Sequence, residues 1–375
     1  VRAGPATTTA PGIPVHLERG AHWLHRVRDD DPYAALLTGF DEDPVPAYER
    51  IRARGPLWRS SVGDWVTADH EVATLVERDP RFAPAGLAAD VRGWAGLNPA
   101  ALDRHRNAVR RRCDQLTDAL PARFDLVTDY AERVAAEAVA DLLGRSTVPV
   151  GRLAEVLHAV RTGPDGDLAP QRLRDQRAFD DGLAELRRLA PEHPTGPAPT
   201  AGPDPLLLAT FGARITVNLI VGVLLAATRQ PATTAHSGIA ALLAETVRHD
   251  PPLTMYPVCL RADVETTGQR LRTGDRLVVV VAGANRDPRV FHEPDRFMPH
   301  RALAGPDRRI RTPGPAYRAL ADCCHAQAVM AVEALRRRHP RLWPVGPVLR
   351  RGRAPVTRGP ARCPIVTEHR EVEDR

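Results

Sequence analysis

The sequence contains no lysine. All 52 of its basic residues are arginine, against 46 acidic ones, for a net charge of +6 over 375 residues. Arginine stays protonated and presents a planar fork of donors, so the chain is rich in ion-pair formers but has no residue for a Schiff base or a P-loop. Those two enzyme classes are excluded. A surplus of six charges at this length does not mark a nucleic-acid binder, and the densest basic cluster, Arg104, Arg106, Arg110, Arg111 and Arg112, reads as a solvated helix face. A CxxC pair is also missing. The five cysteines, Cys113, Cys259, Cys323, Cys324 and Cys363, are odd in number with two adjacent. That fits cytosolic thiols and neither a disulfide framework nor a metal site. The first fifteen residues are rich in Ala, Thr and Pro and only weakly apolar, so no secretory leader is expected and a cytoplasmic location is. One long apolar stretch, residues 205–231, is interrupted by Arg214, Thr216 and Asn218. We expect it to be a buried core helix, not a membrane span.

By length the chain is two domains or one large one. Its 36 prolines and 27 glycines are densest in residues 191–205, which must form an exposed loop between two helical regions. Apolar residues at helical spacing, with acidic or proline starts, predict helices over 43–54, 69–78, 99–120, 125–143, 170–189, 205–228, 235–249 and 316–339. Short strands are expected at 57–59, 65–67, 258–262, 276–282 and 345–348. The helices carry the mass, giving a mainly α fold with small β-sheets. Ahead of the first predicted helix, residues 1–40 read as an N-terminal arm carrying His22, Trp23, Leu24, Tyr33, Leu36 and Leu37. Such an arm either packs on the body or forms a partner-binding surface, since Trp, Tyr and Arg dominate interface hot spots.

From Glu245 to Arg301 the order of features becomes specific. Glu245-Thr-Val-Arg248 ends a helix; Arg261, Gly268, Gly274 and the strand Leu277–Val281 follow, then Ala284-Asn-Arg-Asp-Pro and Pro294-Asp-Arg296-Phe297. This series resembles the cytochrome P-450 superfamily, with its ExxR helix and meander segment, and the match extends over nearly the whole chain. The resemblance implies one P-450-like domain over residues 41–375. Glu245 and Arg248 lie three apart on one helical face, where their side chains can meet. The resemblance adds Arg296 as third member of a buried, structural charged triad.

The same resemblance implies that the haem machinery is lost. The position of the iron-ligating cysteine, which favours O–O cleavage in the monooxygenases, falls on Arg318 in Arg311-Thr-Pro-Gly-Pro-Ala-Tyr-Arg318-Ala-Leu320. Arginine cannot be deprotonated, so it cannot ligate iron. Cys323 and Cys324 come five and six residues too late and read as small buried hydrophobes. The proton-relay acid and alcohol fall on Arg214 and Ile215, neither of which relays protons. No catalytic residue, cofactor or metal is therefore expected. An empty haem-sized void of roughly 500 Å³ would cost on the order of 12 kcal/mol, so Arg214, Arg318 and Leu320 are expected to enter that space.

Within the superfamily, Arg19-Gly-x-His-Trp, Asp31-Pro-Tyr, Trp65-Val-x-Ala-Asp-His70 and the tail from Val348 to Pro364 resemble one subgroup. These are the haem-free, P-450-like auxiliary proteins that activate glycosyltransferases of macrolide and anthracycline pathways. The resemblance implies a non-catalytic partner that forms a hetero-oligomer with a glycosyltransferase using nucleotide-activated deoxysugars, without nucleic acid or membrane, and His22, Trp23, Leu24 and Tyr33 are the expected interface. Two alternatives are an enzyme reusing the vacated pocket for an isomerisation or aldol-type step, with His249, His292, His300 or His325 as acid or base, and a small-molecule binding protein.

Overall fold

Five helices begin at an aspartate or asparagine whose side chain accepts N–H groups of the first turn, which would otherwise lack partners. Asp31 accepts from Tyr33 and Ala34, Asp69 from Val72, Asn98 from Ala101, Asp125 from Val127 and Thr128, and Asp204 from Leu206. The structure, a computed structural model, describes residues 15–39, 43–90, 96–143, 149–189, 204–231, 237–303, 309–310 and 314–367. In chain order its principal elements are α1 (Val15–Arg28), α2 (Pro32–Thr38), α3 (Val45–Ala53), β1 (Trp58–Arg59), β2 (Trp65–Thr67), α4 (His70–Arg78), β3 (Phe82–Pro84), α5 (Pro99–Asp118) and β4 (Arg123–Asp125). Then come α6 (Glu132–Leu142), α7 (Val150–Ala159), α8 (Leu173–Leu189), α9 (Pro205–Arg229), α10 (Ile239–His249), β5 (Tyr256–Leu260), β6 (Val264–Thr266), β7 (Gln269–Leu271) and β8 (Arg276–Val279). The chain closes with α11 (Gly314–Arg338), β9 (Trp343–Pro344), β10 (Leu349–Arg350), β11 (Pro360–Arg362) and β12 (Pro364–Val366).

The predicted helices are present with ends displaced by up to four residues, except that the one expected over 125–143 opens as a π-helical turn, Leu126–Ala131, before α6, and the fold is mainly helical. The largest sheet runs β1-β2-β8-β5-β3, with β2 parallel to β8 and the other pairs antiparallel. A second sheet, β4-β12-β9, brings the end of the described chain back against residues 123–125. The strand expected at 345–348 does not form. Gly346, at φ +123°, and Pro347 break the extension there, and β9 and β10 lie on either side of the turn. Most of the proline-rich loop expected at 191–205 lies outside the described residues.

Helix α9 runs through the main core, with Val217, Leu219, Ile220, Val221 and Val223 fully buried. Among the described residues it is the one helix long and apolar enough to cross a membrane, yet 89% of its apolar window is buried inside the protein. Its polar residues have protein partners: Asn218 Nδ2 donates to the carbonyls of Pro252 (3.0 Å) and Thr357 (2.9 Å). The basic cluster of α5 behaves as the sequence implies. All five of its arginines are exposed, and Arg112 pairs with Glu137 at 3.4 Å.

The N-terminal segment departs from a simple arm. Every residue of α2 is buried, and Tyr33, Leu36 and Leu37 belong to the same core as α9. Asp31 fixes the segment by accepting, besides its helix cap, hydrogen bonds from Ser60 Oγ (2.6 Å) and from Ser61 N (2.8 Å) and Oγ (2.7 Å). The Tyr33 hydroxyl donates to Asp64 at 2.9 Å. Tyr33 is therefore a core residue and not part of an exposed surface.

α1 packs on α2, with Arg26 Nη1 donating to Thr38 Oγ1 at 3.0 Å, and it buries His22, which is 6% exposed. Burial, with help from the positive potential of His25 and Arg276, lowers the His22 pKa from 6.5 to about 4. A histidine held neutral by the fold contributes fully above pH 6.5. As the pH falls toward 4 the unfolded chain binds a proton that the folded chain refuses, and stability drops. The drop attributable to His22 is on the order of 3 kcal/mol. We predict that urea midpoints fall between pH 7 and pH 4.5, and that His22→Gln flattens this part of the profile. An identical slope in the variant would contradict the assignment.

Candidate functional site

Helices α9 and α11 carry the residues that the sequence places around a haem, and their side chains meet directly. The start of α9 contains a π-helical turn, Leu208–Gly212, which widens the helix just ahead of Arg214. Leu320 of α11 is fully buried against it: its Cδ1 lies 3.1 Å from where a Cβ on Gly212 would stand. Phe211 and Tyr317 pack edge to face with centroids 5.5 Å apart. Cys324 Sγ donates to the Gly212 carbonyl at 3.4 Å. A porphyrin seated where the resemblance places it, between the starts of α9 and α11, would have to separate these pairs. Burial pushes the Cys323 thiol up to about 12 and shifts Cys324 in the same direction, as expected of cysteines packed as small buried hydrophobes. The residues present do not fit a haem.

Of the three residues expected to fill that space, two are buried and one is not. Leu320 occupies it, and Arg214 turns its guanidinium to Glu132, Nη2 to Oε1 at 2.9 Å. Burial disfavours the Glu132 carboxylate, but the His158 hydrogen bond and the Arg214 charge outweigh it and bring the pKa down to about 2. Arg318 does not enter. It lies on the exposed side of α11, because Tyr317 and Leu320 take the inward directions of that turn and leave 318 facing out. Ile215 is an apolar core residue, 1% exposed.

A polar chain, exposed at Asp141 and buried from His105 inward, crosses the same region, and no local sequence pattern announces it. Asp141 of α6 lies 2.5 Å from Nδ1 of His105 on α5; His105 Nε2 lies 3.0 Å from Gln327 Nε2 on α11; and Gln327 Oε1 accepts from Thr216 Oγ1 of α9 at 2.8 Å. The Gln327 amide nitrogen can only donate, so His105 Nε2 accepts, and Nδ1 then carries the proton that it gives to Asp141. Four helices are tied together in this way. We predict that His105→Ala lowers stability by about 2–4 kcal/mol, because it leaves both a cavity and a stranded Gln327 amide. A denaturant midpoint equal to the wild type would refute this.

The charged triad has a different third member from the one expected. Arg248 and Glu245 are both nearly inaccessible and pair twice, Nε to Oε2 at 2.9 Å and Nη2 to Oε1 at 2.7 Å. The other Arg248 donors reach the carbonyls of Asn285 (3.0 Å), Pro294 (2.7 Å) and Arg296 (3.1 Å). Arg296 thus contributes its backbone. Its guanidinium points outward, 68% exposed and 3.4 Å from Glu293. The third guanidinium is that of Arg301, whose Nε is 3.6 Å from Glu245 Oε1.

The histidines of the enzyme alternative do not converge. His249 hydrogen-bonds the Asp295 carbonyl at 2.9 Å, His292 and His300 are exposed, and His325 lies on α11. Among the described residues no cluster of His, Cys, Asp or Glu could hold a metal.

The other candidate surface is the outer face of α1. Leu17, Trp23, Leu24 and Val27 are 57, 58, 48 and 59% exposed, four of the six large apolar side chains exposed among the described residues. At 100° per residue they fall within one third of the helix circumference, with Gly20 between them. Of the expected interface residues, Trp23 and Leu24 are on this face, while His22 and Tyr33 face inward. Leu17 and Val27 complete the stripe.

Comparison with known proteins gives consistent results. The cytochrome P-450 family model matches residues 239–308. DesVIII of Streptomyces venezuelae is 34% identical, over 92% of this chain and 91% of that protein. AknT of Streptomyces galilaeus is 32% identical, over 93% and 94%. The cytochrome P-450 family protein EryCII of Saccharopolyspora erythraea is 34% identical, over 96% and 99%. Among solved structures, P450BioI in complex with a fatty-acid-ligated acyl carrier protein matches with a TM-score of 0.71 at 18% identity, over 87% of this chain and 99% of that one. Epothilone D-bound cytochrome P450epoK matches with a TM-score of 0.66 at 24% identity, over 90% and 99%. These two likenesses establish the fold.

Proposed function

Because the chain belongs to the family of cytochrome P-450-like auxiliary proteins of macrolide and anthracycline glycosyltransferases, we propose that it is a cytoplasmic, non-catalytic protein that binds a nucleotide-deoxysugar glycosyltransferase and holds it in its active state. The observation that carries this reading is the apolar stripe on α1. Leu17, Trp23, Leu24 and Val27 form a contiguous exposed face on a helix that is anchored from behind by His22 and by the buried α2. Exposed apolar patches of this kind mark interaction surfaces, and a tryptophan at their centre is a frequent hot spot. The closing of α9 on α11 supports the absence of oxygen chemistry and of a haem cofactor, and Arg318, where the resemblance places the former iron ligand, is consistent with it.

An activator must bind the active conformation of its partner better than the inactive one. A tenfold shift needs a difference of about 1.4 kcal/mol, which one well-packed apolar side chain supplies. A stable hetero-oligomer buries roughly 1,200–2,000 Å² in total, so the α1 face would be the centre of a larger contact. Size-exclusion chromatography of the chain mixed with its glycosyltransferase tests this proposal. Co-elution as a hetero-oligomer is expected, and separate elution at tens of micromolar would argue against it.

A further inference from the structure

The cleft between the start of α8 and the tip of the β10–β11 hairpin holds five arginines: Arg161, Arg172, Arg174, Arg351 and Arg353. They line a cavity of about 190 Å³. Its acidic residues are Asp165 and Asp175, which leaves three positive charges in excess. Asp165 is already engaged, accepting from Val356 N (2.9 Å), Thr357 N (2.9 Å) and Thr357 Oγ1 (2.8 Å). Asp175 is 3.6 Å from Arg174. We propose that this cleft is a binding site for a phosphate-class anion of multiple charge, best matched by a diphosphate.

Three features point to such a ligand. Arg351 is largely buried; its Nη2 donates to Thr357 Oγ1 and lies 3.5 Å from Asp165 Oδ2, its Nη1 reaches the Arg161 carbonyl at 3.3 Å, and its Nε has no hydrogen-bond partner. Burial and the nearby Arg214 and Arg161, against the opposing pull of Asp165, lower its pKa to about 10. Arg353 is held at φ +59°, a left-handed conformation costly for any side-chain-bearing residue, with its Cα 3.0 Å from where a Cβ on Gly39 would be. Arg172 and Arg174 flank the first residue of α8, where the helix field favours anions and disfavours cations. A monocarboxylate would neutralise one of the three excess charges. A diphosphate neutralises two or three and offers oxygens that guanidinium forks bind two at a time. The anion could be free or could be the diphosphate of a nucleotide ligand, and the site does not depend on the partner proposed above.

Isothermal titration of the full chain with inorganic pyrophosphate, at fixed ionic strength set with chloride, tests the site. Saturable one-to-one binding is expected, at least tenfold tighter than for inorganic phosphate. Arg172 and Arg174 are exposed, so Arg172→Ser with Arg174→Ser should melt as the wild type does and bind at least tenfold more weakly. Arg353→Gly removes a guanidinium while relieving the left-handed backbone, and should keep its melting temperature but lose affinity to the same extent. A nucleoside diphosphate in parallel separates the sources: tighter binding than pyrophosphate assigns the anion to a nucleotide, and equal binding to the free diphosphate. No saturable binding below millimolar pyrophosphate, or unchanged affinity in both variants, would overturn the proposal.

Discussion

Glu245→Ala is expected to lower stability by about 3–5 kcal/mol, enough to leave much of the protein unfolded at 37 °C, whereas Arg296→Ala should change it by less than about 0.5 kcal/mol. The contrast follows from where each group ends. The Arg248 guanidinium is 1% exposed, and its donors are divided between the Glu245 carboxylate and the carbonyls of Asn285, Pro294 and Arg296. An intact buried pair contributes little net stability, but deleting the carboxylate leaves a desolvated cation without its counter-charge. The Met298 N–H, which donates to Glu245 Oε1 at 2.9 Å, loses its acceptor as well. Arg296 supplies only a carbonyl to this cluster, and alanine keeps that carbonyl. Guanidinium unfolding of the two variants decides the matter. Equal losses would return Arg296 to the triad in place of Arg301.

Trp23→Ala combined with Leu24→Asp is expected to weaken binding to the glycosyltransferase by at least 30-fold, with the melting temperature essentially unchanged. Both side chains are about half exposed, outside the buried core, so their removal leaves no cavity in it. Truncating a hot-spot tryptophan costs about 2 kcal/mol or more of binding, and an aspartate at position 24 would add a charge to be desolvated at the centre of the contact. Tyr33→Phe is the internal control. It removes the hydrogen bond to Asp64 behind α1 and should lower stability by about 1 kcal/mol without touching the stripe. Unchanged affinity in the double variant would mean that the partner is held elsewhere.

The parts of this account that were legible in the sequence are those encoded by short-range spacing. Glu245 and Arg248 are three residues apart on one helix, and the apolar run of α9 announces a buried helix by itself. The identity of the third guanidinium was not legible, because Arg296 and Arg301 lie in one irregular segment where no periodicity says which side chain turns inward. The outward orientation of Arg318 was missed for a related reason: sequence assigns it a position on α11 but not the direction in which that turn faces. α1 was hidden by its composition. Its stripe appears only when Leu17 and Val27 are counted with Trp23 and Leu24, and its other face carries charged residues and a single buried histidine. The Asp141-His105-Gln327-Thr216 chain joins residues 36, 222 and 111 positions apart, and no local pattern reports such pairings. The arginine cleft likewise needs residues 161–174 to meet residues 351–353.

The central claim, an auxiliary protein without catalysis of its own, is tested most directly by reconstituting sugar transfer from purified components. The account predicts that the glycosyltransferase transfers its nucleotide-activated deoxysugar efficiently only when this chain is present, that the haem-free preparation suffices, and that the chain alone converts neither substrate. Full activity of the glycosyltransferase without this chain, or turnover of a pathway intermediate by this chain alone, would contradict it.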